Sequence, residues 1–343
     1  MKALILNRST HPPGLELRDV EPPQVRENQV LIRVAACGVC HHDFLVMQDI
    51  LKRGVKPNVI LGHEISGTIV SRGDRVTSLQ TGDHVTTLLR DVCGICAMCA
   101  ANRPDECVNA FGIGHEIDGG FAEYIAVTED SVIKLEPDTD LYKASLYSCP
   151  IGITLKGIKY AGRIKAGEPV VVTGASGGLG VHAIQIARAF GSPVIAITTS
   201  ADKVDYLETL NPNWVFHVED LEFSDLVRGV TEDRGAAMVF NTLGHKGFIP
   251  SLRSLRENGR LIMMGDIDGG LAAFRPAEVV FNNLQIIGVS GVERSLLTEV
   301  QHMVRAGLVN PTITQVVRFS NFHEAFRSMS ERRTVGRVIL VPD

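Results

Sequence analysis

The chain has 343 residues, 45% of them apolar, and a formal net charge of −5. That length suggests about two domains with real cores, and the acidic balance argues against nucleic-acid binding, which shows as basic patches. No apolar run of about 18 residues marks a membrane span, the opening MKALILNRSTHPPG lacks a signal peptide's apolar core and cleavage site, and seven cysteines, six with a metal role open to them, suit a reducing cytoplasm.

The first ~150 residues are strand-like and rich in glycine. Short runs at Gln29 to Val34, Ser66 to Val70 and His84 to Leu89 are separated by Pro, Gly and Asp. This predicts an antiparallel, partly barrel-like β domain. Within it, Cys40 lies in CGVCHHD and His63 in GHE, and Cys149 follows in SCPIGIT. Two thiols and an imidazole match a catalytic zinc site with one position left open. Cys37 and Cys40 read equally as a redox pair or half a zinc knuckle, and a lone His63 as a structural histidine.

Cys93, Cys96, Cys99 and Cys107 form the densest motif, C-x2-C-x2-C-x7-C. Four thiolates this close can close a tetrahedral shell on one zinc ion. The span is too crowded for two unstrained disulfides. An iron–sulfur cluster is the alternative, although the fourth cysteine falls at a different spacing and lacks the following proline. A closed site of this kind is structural, which puts the chemistry elsewhere.

From Glu168 the texture changes. Val170 to Val172 suits a buried parallel strand. A glycine-rich turn follows, then a helix over Val181 to Phe190 and a second strand over Val194 to Thr198. Further strands are predicted at Trp214 to Phe216, Met238 to Phe240, Leu261 to Met264 and Leu284 to Ile287. Strand–helix alternation predicts a doubly wound parallel sheet. Helices over Glu299 to Ala306 and Phe322 to Met329 and a strand over Gly336 to Val341 complete the chain.

The turn reads G-x-x-G-G-x-G, with Gly174, Gly177, Gly178 and Gly180 between strand and helix. Its backbone N–H groups can reach a pyrophosphate at the helix N-terminus. The bland alternative is a turn that only packs helix on strand. At the end of the second strand, where an NAD site places Asp or Glu, stand Thr198, Thr199 and Ser200, followed by Lys203. Hydroxyls and a lysine can receive a 2′-phosphate, so NADPH is expected over NADH. Asp202 weighs against this, and the hydroxyls can also serve as helix caps.

Taken together, these motifs resemble the zinc-containing medium-chain dehydrogenase/reductase family almost end to end. The family order is present: Cys40 to Asp43, Gly62-His63-Glu64, the four-cysteine lobe, Gly119 to Tyr124, Cys149 with Gly152 and Thr154, the glycine turn, and Gly336-Arg337-Val338. The resemblance implies a groES-like β-rich catalytic domain over 1–150, a Rossmann domain over 151–288, and a return to the catalytic domain over 289–343. It implies two zinc ions per chain, one on Cys40, His63 and Cys149 and one on the four clustered cysteines. Glu64 is implied beside the metal, Asp43 as the group orienting a ligand, and Thr154 beside the nicotinamide. His41, Gly174, Ser176, Gly177, Gly178, Leu179, Thr199, Ser200, Lys203, Gly265 and Arg337 are the implied cofactor contacts. Cys37 inherits no role and reads as a small buried residue. A homodimer or homotetramer is implied, through pairing of the last Rossmann strand with its mate.

There are two departures. His42 stands where the family usually has the Ser or Thr that starts a proton relay; histidine can shuttle protons in its place or merely pack near the metal. The stretch from Gly157 through the glycine turn resembles zinc-containing acryloyl-CoA reductases. The leading expectation is alcohol–carbonyl interconversion by hydride transfer. The alternative is reduction of a conjugated C=C bond, and a non-catalytic zinc protein is disfavoured by the complete cofactor turn.

Overall fold

The computed structural model describes residues 1–9, 13–101 and 103–343. They form two compact units. The first comprises Met1–Cys149, Gly291–His302 and Ile313–Asp343, and the second Pro150–Ser290 and Met303–Thr312. Met303–Thr312 falls within the expected 289–343 return yet groups with the second unit. The reason is local: His182 Nε2 accepts from Thr312 N (3.1 Å), and Gln185 exchanges hydrogen bonds with the Asn310 backbone (2.7 and 3.2 Å).

The first unit opens with β1 (Lys2–Asn7), β2 (Gly14–Asp19), β3 (Gln29–Gly38), β4 (Glu64–Arg72), β5 (His84–Thr87), β6 (Arg90–Asp91), β7 (Phe111–Gly112), β8 (Tyr124–Thr128) and β9 (Val132–Lys134). The second unit holds β10 (Val170–Thr173), β11 (Val194–Thr198), β12 (Trp214–His217), β13 (Ala236–Asn241), β14 (Leu255–Met263) and β15 (Gln285–Gly288). The first closes with β16 (Ile313–Arg318) and β17 (Arg337–Val341).

The main sheet of the first unit runs β16-β17-β3-β4-β5-β9, with β8 also paired to β3. Its core gathers Ile32, Val34, Ile65, Ile69, Phe121 and Leu340. Two registers matter for function. Gly38 on β3 faces Glu64 on β4, and Ile339 on β17 faces Gly38. One end of the sheet therefore collects the end of β3, the start of β4 and the start of β17. Gly38 is obligatory there, because a Cβ would lie 2.1 Å from Glu64 Oε2.

The second unit is a six-stranded parallel sheet in the order β12-β11-β10-β13-β14-β15. β10 reads VVVT and is wholly buried, as a strand covered on both faces requires. The order reverses between β10 and β13, the switch point where doubly wound sheets bind ligands outside the strand carboxyl ends. No helix among the described residues is long and apolar enough to cross a membrane.

Candidate functional site

Three strands of the first unit deliver one cluster. Cys40 follows β3 and begins the helix His41–Met47. His63 and Glu64 open β4, and Arg337 opens β17. Cys149 lies in a π-helical stretch, Tyr147–Ile153, an irregularity frequent at functional sites. The donor atoms of Cys40, His63, Glu64 and Cys149 lie within 4.8 Å of one another, and all four residues are buried or nearly so.

The geometry fits zinc. Cys40 Sγ and Cys149 Sγ are 3.9 Å apart. Tetrahedral Zn–S bonds of about 2.3 Å give an edge of about 3.8 Å. Glu64 is committed elsewhere, since Arg337 Nη2 donates to its Oε1 (2.7 Å) and Arg337 Nε to its Oε2 (3.1 Å). Cys40, His63 and Cys149 remain as uncommitted candidate donors. Arg337 Nη2 also reaches Cys40 Sγ at 3.4 Å and Cys149 Sγ at 3.8 Å. Two thiolates and a carboxylate carry three negative charges, which a divalent ion and one guanidinium balance. A buried arginine in this place is thus explained by charge neutrality.

A hydrogen bond from Cys149, aided by Arg337 and His63, holds Cys40 well below the usual thiol range. The same bond to Cys40, with burial, keeps the Cys149 thiol well above it. Burial pushes Glu64 up to about 7 even though Arg337 pulls the other way. Burial opposes the charged form of His63, but the Cys40 thiolate and Asp43 raise it well above the usual range. Asp43 is fully buried and its Oδ2 accepts from Cys40 N at 2.9 Å. Its Oδ1 faces His63 Nδ1 at 3.7 Å, and neither atom has a hydrogen-bond partner. Small closure of that gap fixes the imidazole so that its other nitrogen serves a metal.

His42 is half-buried. Its ring meets that of His63 edge-on, 5.0 Å between centroids, and tilts against His115 at 5.3 Å. His42 Nδ1 is buried and makes no hydrogen bond, but it faces Asp43 Oδ1 at 4.0 Å. His41 is exposed and stacks on Phe44 at 5.8 Å. Sequence reasoning missed His115, a loop histidine with no spacing relation to His42, and it missed the Arg337–Glu64 pair, having given Arg337 only a cofactor contact. Cys37 is fully buried, and burial raises its thiol pKa, consistent with a packing role.

The four-cysteine lobe is a separate centre of the same unit. Cys96 Sγ lies 3.6 Å from Cys99 Sγ and 3.8 Å from Cys107 Sγ, and Cys107 Sγ lies 3.5 Å from Cys93 Sγ. These are tetrahedral edges, far longer than a disulfide of about 2.05 Å. The Cys99 backbone N–H leads the effects drawing Cys96 down to about 6, while burial and neighbouring thiols push Cys99 up to about 12. Asp91 anchors the lobe. Its Oδ1 accepts from Thr128 N, Thr128 Oγ1 and Ser131 Oγ at 2.8–2.9 Å, and Ser131 Oγ accepts from Val92 N at 2.8 Å.

In the second unit the glycine turn is drawn tight. Gly174 has φ +57°, and a Cβ on Gly180 would sit 2.3 Å from Gly174 O. Ser176 and Gly178 are buried, Gly177 is exposed, and Leu179 precedes the helix Gly180–Ala189. Thr199 is exposed just beyond β11, Ser200 is half-buried, and Lys203 is largely buried. Ser200 makes no side-chain cap, which removes the capping explanation at that residue. Gly265 is exposed beyond β14. Thr154 is fully buried with its hydroxyl donated to Pro150 O at 2.7 Å.

Comparisons with known proteins agree with this architecture. Residues 26–137 match the alcohol dehydrogenase GroES-like domain and residues 178–306 the zinc-binding dehydrogenase domain. An acryloyl-coenzyme A reductase of Sulfurisphaera tokodaii is 31% identical over 343 residues, and an alcohol dehydrogenase of Geobacillus stearothermophilus 30% identical over 353, each covering 100% of both chains. The alcohol dehydrogenase of Aeropyrum pernix superposes with a TM-score of 0.92 at 26% identity, covering 100% of both chains. Two domain matches in the expected order, full-length relatives and both sets of metal donors have one reading: the chain belongs to the zinc-containing medium-chain dehydrogenase/reductase family and is an oxidoreductase.

Proposed function

We propose that the protein is an NADPH-dependent reductase that acts on a carbonyl compound, interconverting an aldehyde or ketone with its alcohol. The observation that carries this is the convergence of Cys40, His63 and Cys149 on one position while Arg337 occupies both oxygens of Glu64. A zinc ion bound by those three residues supplies Lewis-acid polarisation of the substrate oxygen. Asp43 orients His63. Arg337 balances the thiolates and Glu64. His42 takes the usual hydroxyl's place and moves a proton through Nδ1. Thr154, Gly265 and the glycine turn with Ser176 and Leu179 would hold the nicotinamide cofactor. Thr199, Ser200 and Lys203 receive the 2′-phosphate.

A second reading is hydride delivery to the β-carbon of a conjugated C=C bond. It is favoured by His42 in place of a hydroxyl and by the acryloyl-coenzyme A reductases among the relatives. A panel of aldehydes, enones and enoyl thioesters with NADPH and NADH, with metal content on the same sample, separates the two. Inert aldehydes beside a reduced enoyl thioester reject the first reading. Lys203→Ala should weaken NADPH more than NADH by about 1–2 kcal/mol; equal losses in a fluorescence titration reject the assigned role.

Assembly as a homodimer or homotetramer is supported by β15, the edge strand of its sheet, and by exposed Leu271, Val280 and Phe281 nearby in sequence. Such edges need covering. A stable monomer in sedimentation at micromolar concentration is the contrary result.

A further inference from the structure

The loop after the first helix presents charge that no part of the site so far described uses. Asp49 turns the chain with φ +57° and is held by Arg8 at 3.1 Å. Ile50 N and Leu51 N donate to Leu45 O at 2.9 and 3.1 Å. At the far end Lys56 N donates to His115 O at 2.8 Å, Lys56 pairs with Asp118, and Asp118 Oδ1 accepts from Ile60 N at 3.0 Å. The loop is therefore fixed at both ends, and its tip carries Lys52 and Arg53, both exposed. Among the described residues, neither forms an ion pair. Asp49 is paired with Arg8 and Asp118 with Lys56; Glu116, whose Oε2 accepts from the Gly112 backbone N–H at 2.7 Å, keeps its charge beside Gly54, so the two cations outnumber the one unpaired carboxylate near the tip.

This tip is tied to the zinc donors by a chain of contacts. His63 meets His42, His42 meets His115, and His115 Nε2 hydrogen-bonds Arg53 O at 2.9 Å. The Arg53 backbone is thus linked to the donor set through two imidazole rings. Exposed Ile50 and Leu51 stand beside Lys52 and Arg53 in the loop. On a chain of net charge −5, two adjacent unpaired cations form a local attractor for anions. A guanidinium fork beside an ammonium matches a phosphate dianion better than a single carboxylate.

We propose that the substrate carries a phosphate group received by Lys52 and Arg53, with Ile50 and Leu51 against its apolar stem. This rests on the carbonyl-binding reading of the Cys40–His63–Cys149 centre. Two sources share the chemistry: a short phosphorylated carbonyl compound and a coenzyme A thioester. The test uses matched pairs on the zinc-loaded, NADPH-saturated enzyme. One pair is glyceraldehyde 3-phosphate and glyceraldehyde; the other is crotonyl-CoA and its N-acetylcysteamine thioester, which lacks the phosphates. In one pair the phosphorylated member should show a kcat/KM at least about tenfold higher at low salt, and the pair that does so names the source. That ratio should collapse in Lys52→Glu/Arg53→Glu and fade at high ionic strength. A ratio unmoved by the double variant, at unchanged melting temperature, overturns the proposal, as does preference for the neutral members. Calorimetric titration with butyryl-CoA and with glycerol 3-phosphate decides the matter without turnover. If no member of either pair reacts, the reading of the reaction falls; binding lost in the double variant then still supports the phosphate site, and equal binding overturns it.

Discussion

The two metal centres of the first unit solve one chemical problem by opposite routes. In the lobe, four thiols come from a stretch in which the outer cysteines are 14 residues apart. In the other centre, Cys40 and Cys149 are 109 residues apart, and Arg337 stands 188 residues beyond Cys149. The local centre is closed, equal in its ligands and bolted to the β-sheet through Asp91. The non-local one is mixed and surrounded by compensating charge, and on the proposed ligand set it has one position to spare. A closed shell contributes folding energy, and an open one leaves room for chemistry. The lesson is that ligand identity matters less than who supplies the fourth contact.

The sharpest way to break this contrast is Cys149→Ala. Metal polarisation supplies several kcal/mol, so turnover should fall by about 10³ or more, while NADPH binding, measured by fluorescence, stays close to wild type. Residual turnover within about tenfold would mean that the reaction does not run through this centre. Next in size is Cys107→Ser. Zinc content should drop from two ions to one, and thermal unfolding should move down by about 10 °C, since several kcal/mol at about 2–4 °C each are lost. An unchanged melting curve would deny the lobe its structural role.

Arg337→Met probes what the lobe does not need. Removing one partner of a buried ion pair costs about 3–5 kcal/mol, and Glu64→Gln in the same chain should restore much of it. If the double variant is no better than the single one in denaturant unfolding, the guanidinium acts through something other than charge balance. The smallest effect is expected from Asp91→Ala. Three donors lose their acceptor, at about 1–3 kcal/mol, yet zinc content should remain at two. Loss of an ion with this change would make the anchor part of the metal site.

The lobe was legible in the sequence because its geometry is local: spacing alone dictates that four sulfurs can meet. The parallel sheet was legible for a similar reason, since Val170 to Val172 and Val194 to Thr198 carry their burial in their residue types. The open centre was not legible from spacing. Cys40, His63 and Cys149 were joined by resemblance, and only the registers β3–β4 and β17–β3 bring their neighbourhood together. Arg337 illustrates the limit. It lies 273 residues from Glu64, and no periodicity links them. His115 was invisible because loop contacts leave no pattern. Met303–Thr312 was placed with the wrong neighbours, because two hydrogen-bonding side chains on the helix Gly180–Ala189 decide where it packs.

The interleaving of the two units also bears on how the protein is made. Domains form in order of synthesis as the chain emerges, at roughly 5–20 residues per second. The cysteine lobe has all its thiols by Cys107 and can take up its ion before any of the second unit, which starts at Pro150, is translated. The other centre has its last candidate donor at Cys149, but the guanidinium that offsets its charge arrives 188 residues later, at Arg337. A nascent chain stalled anywhere in the second unit therefore carries one finished metal site and one that is anionic and unshielded.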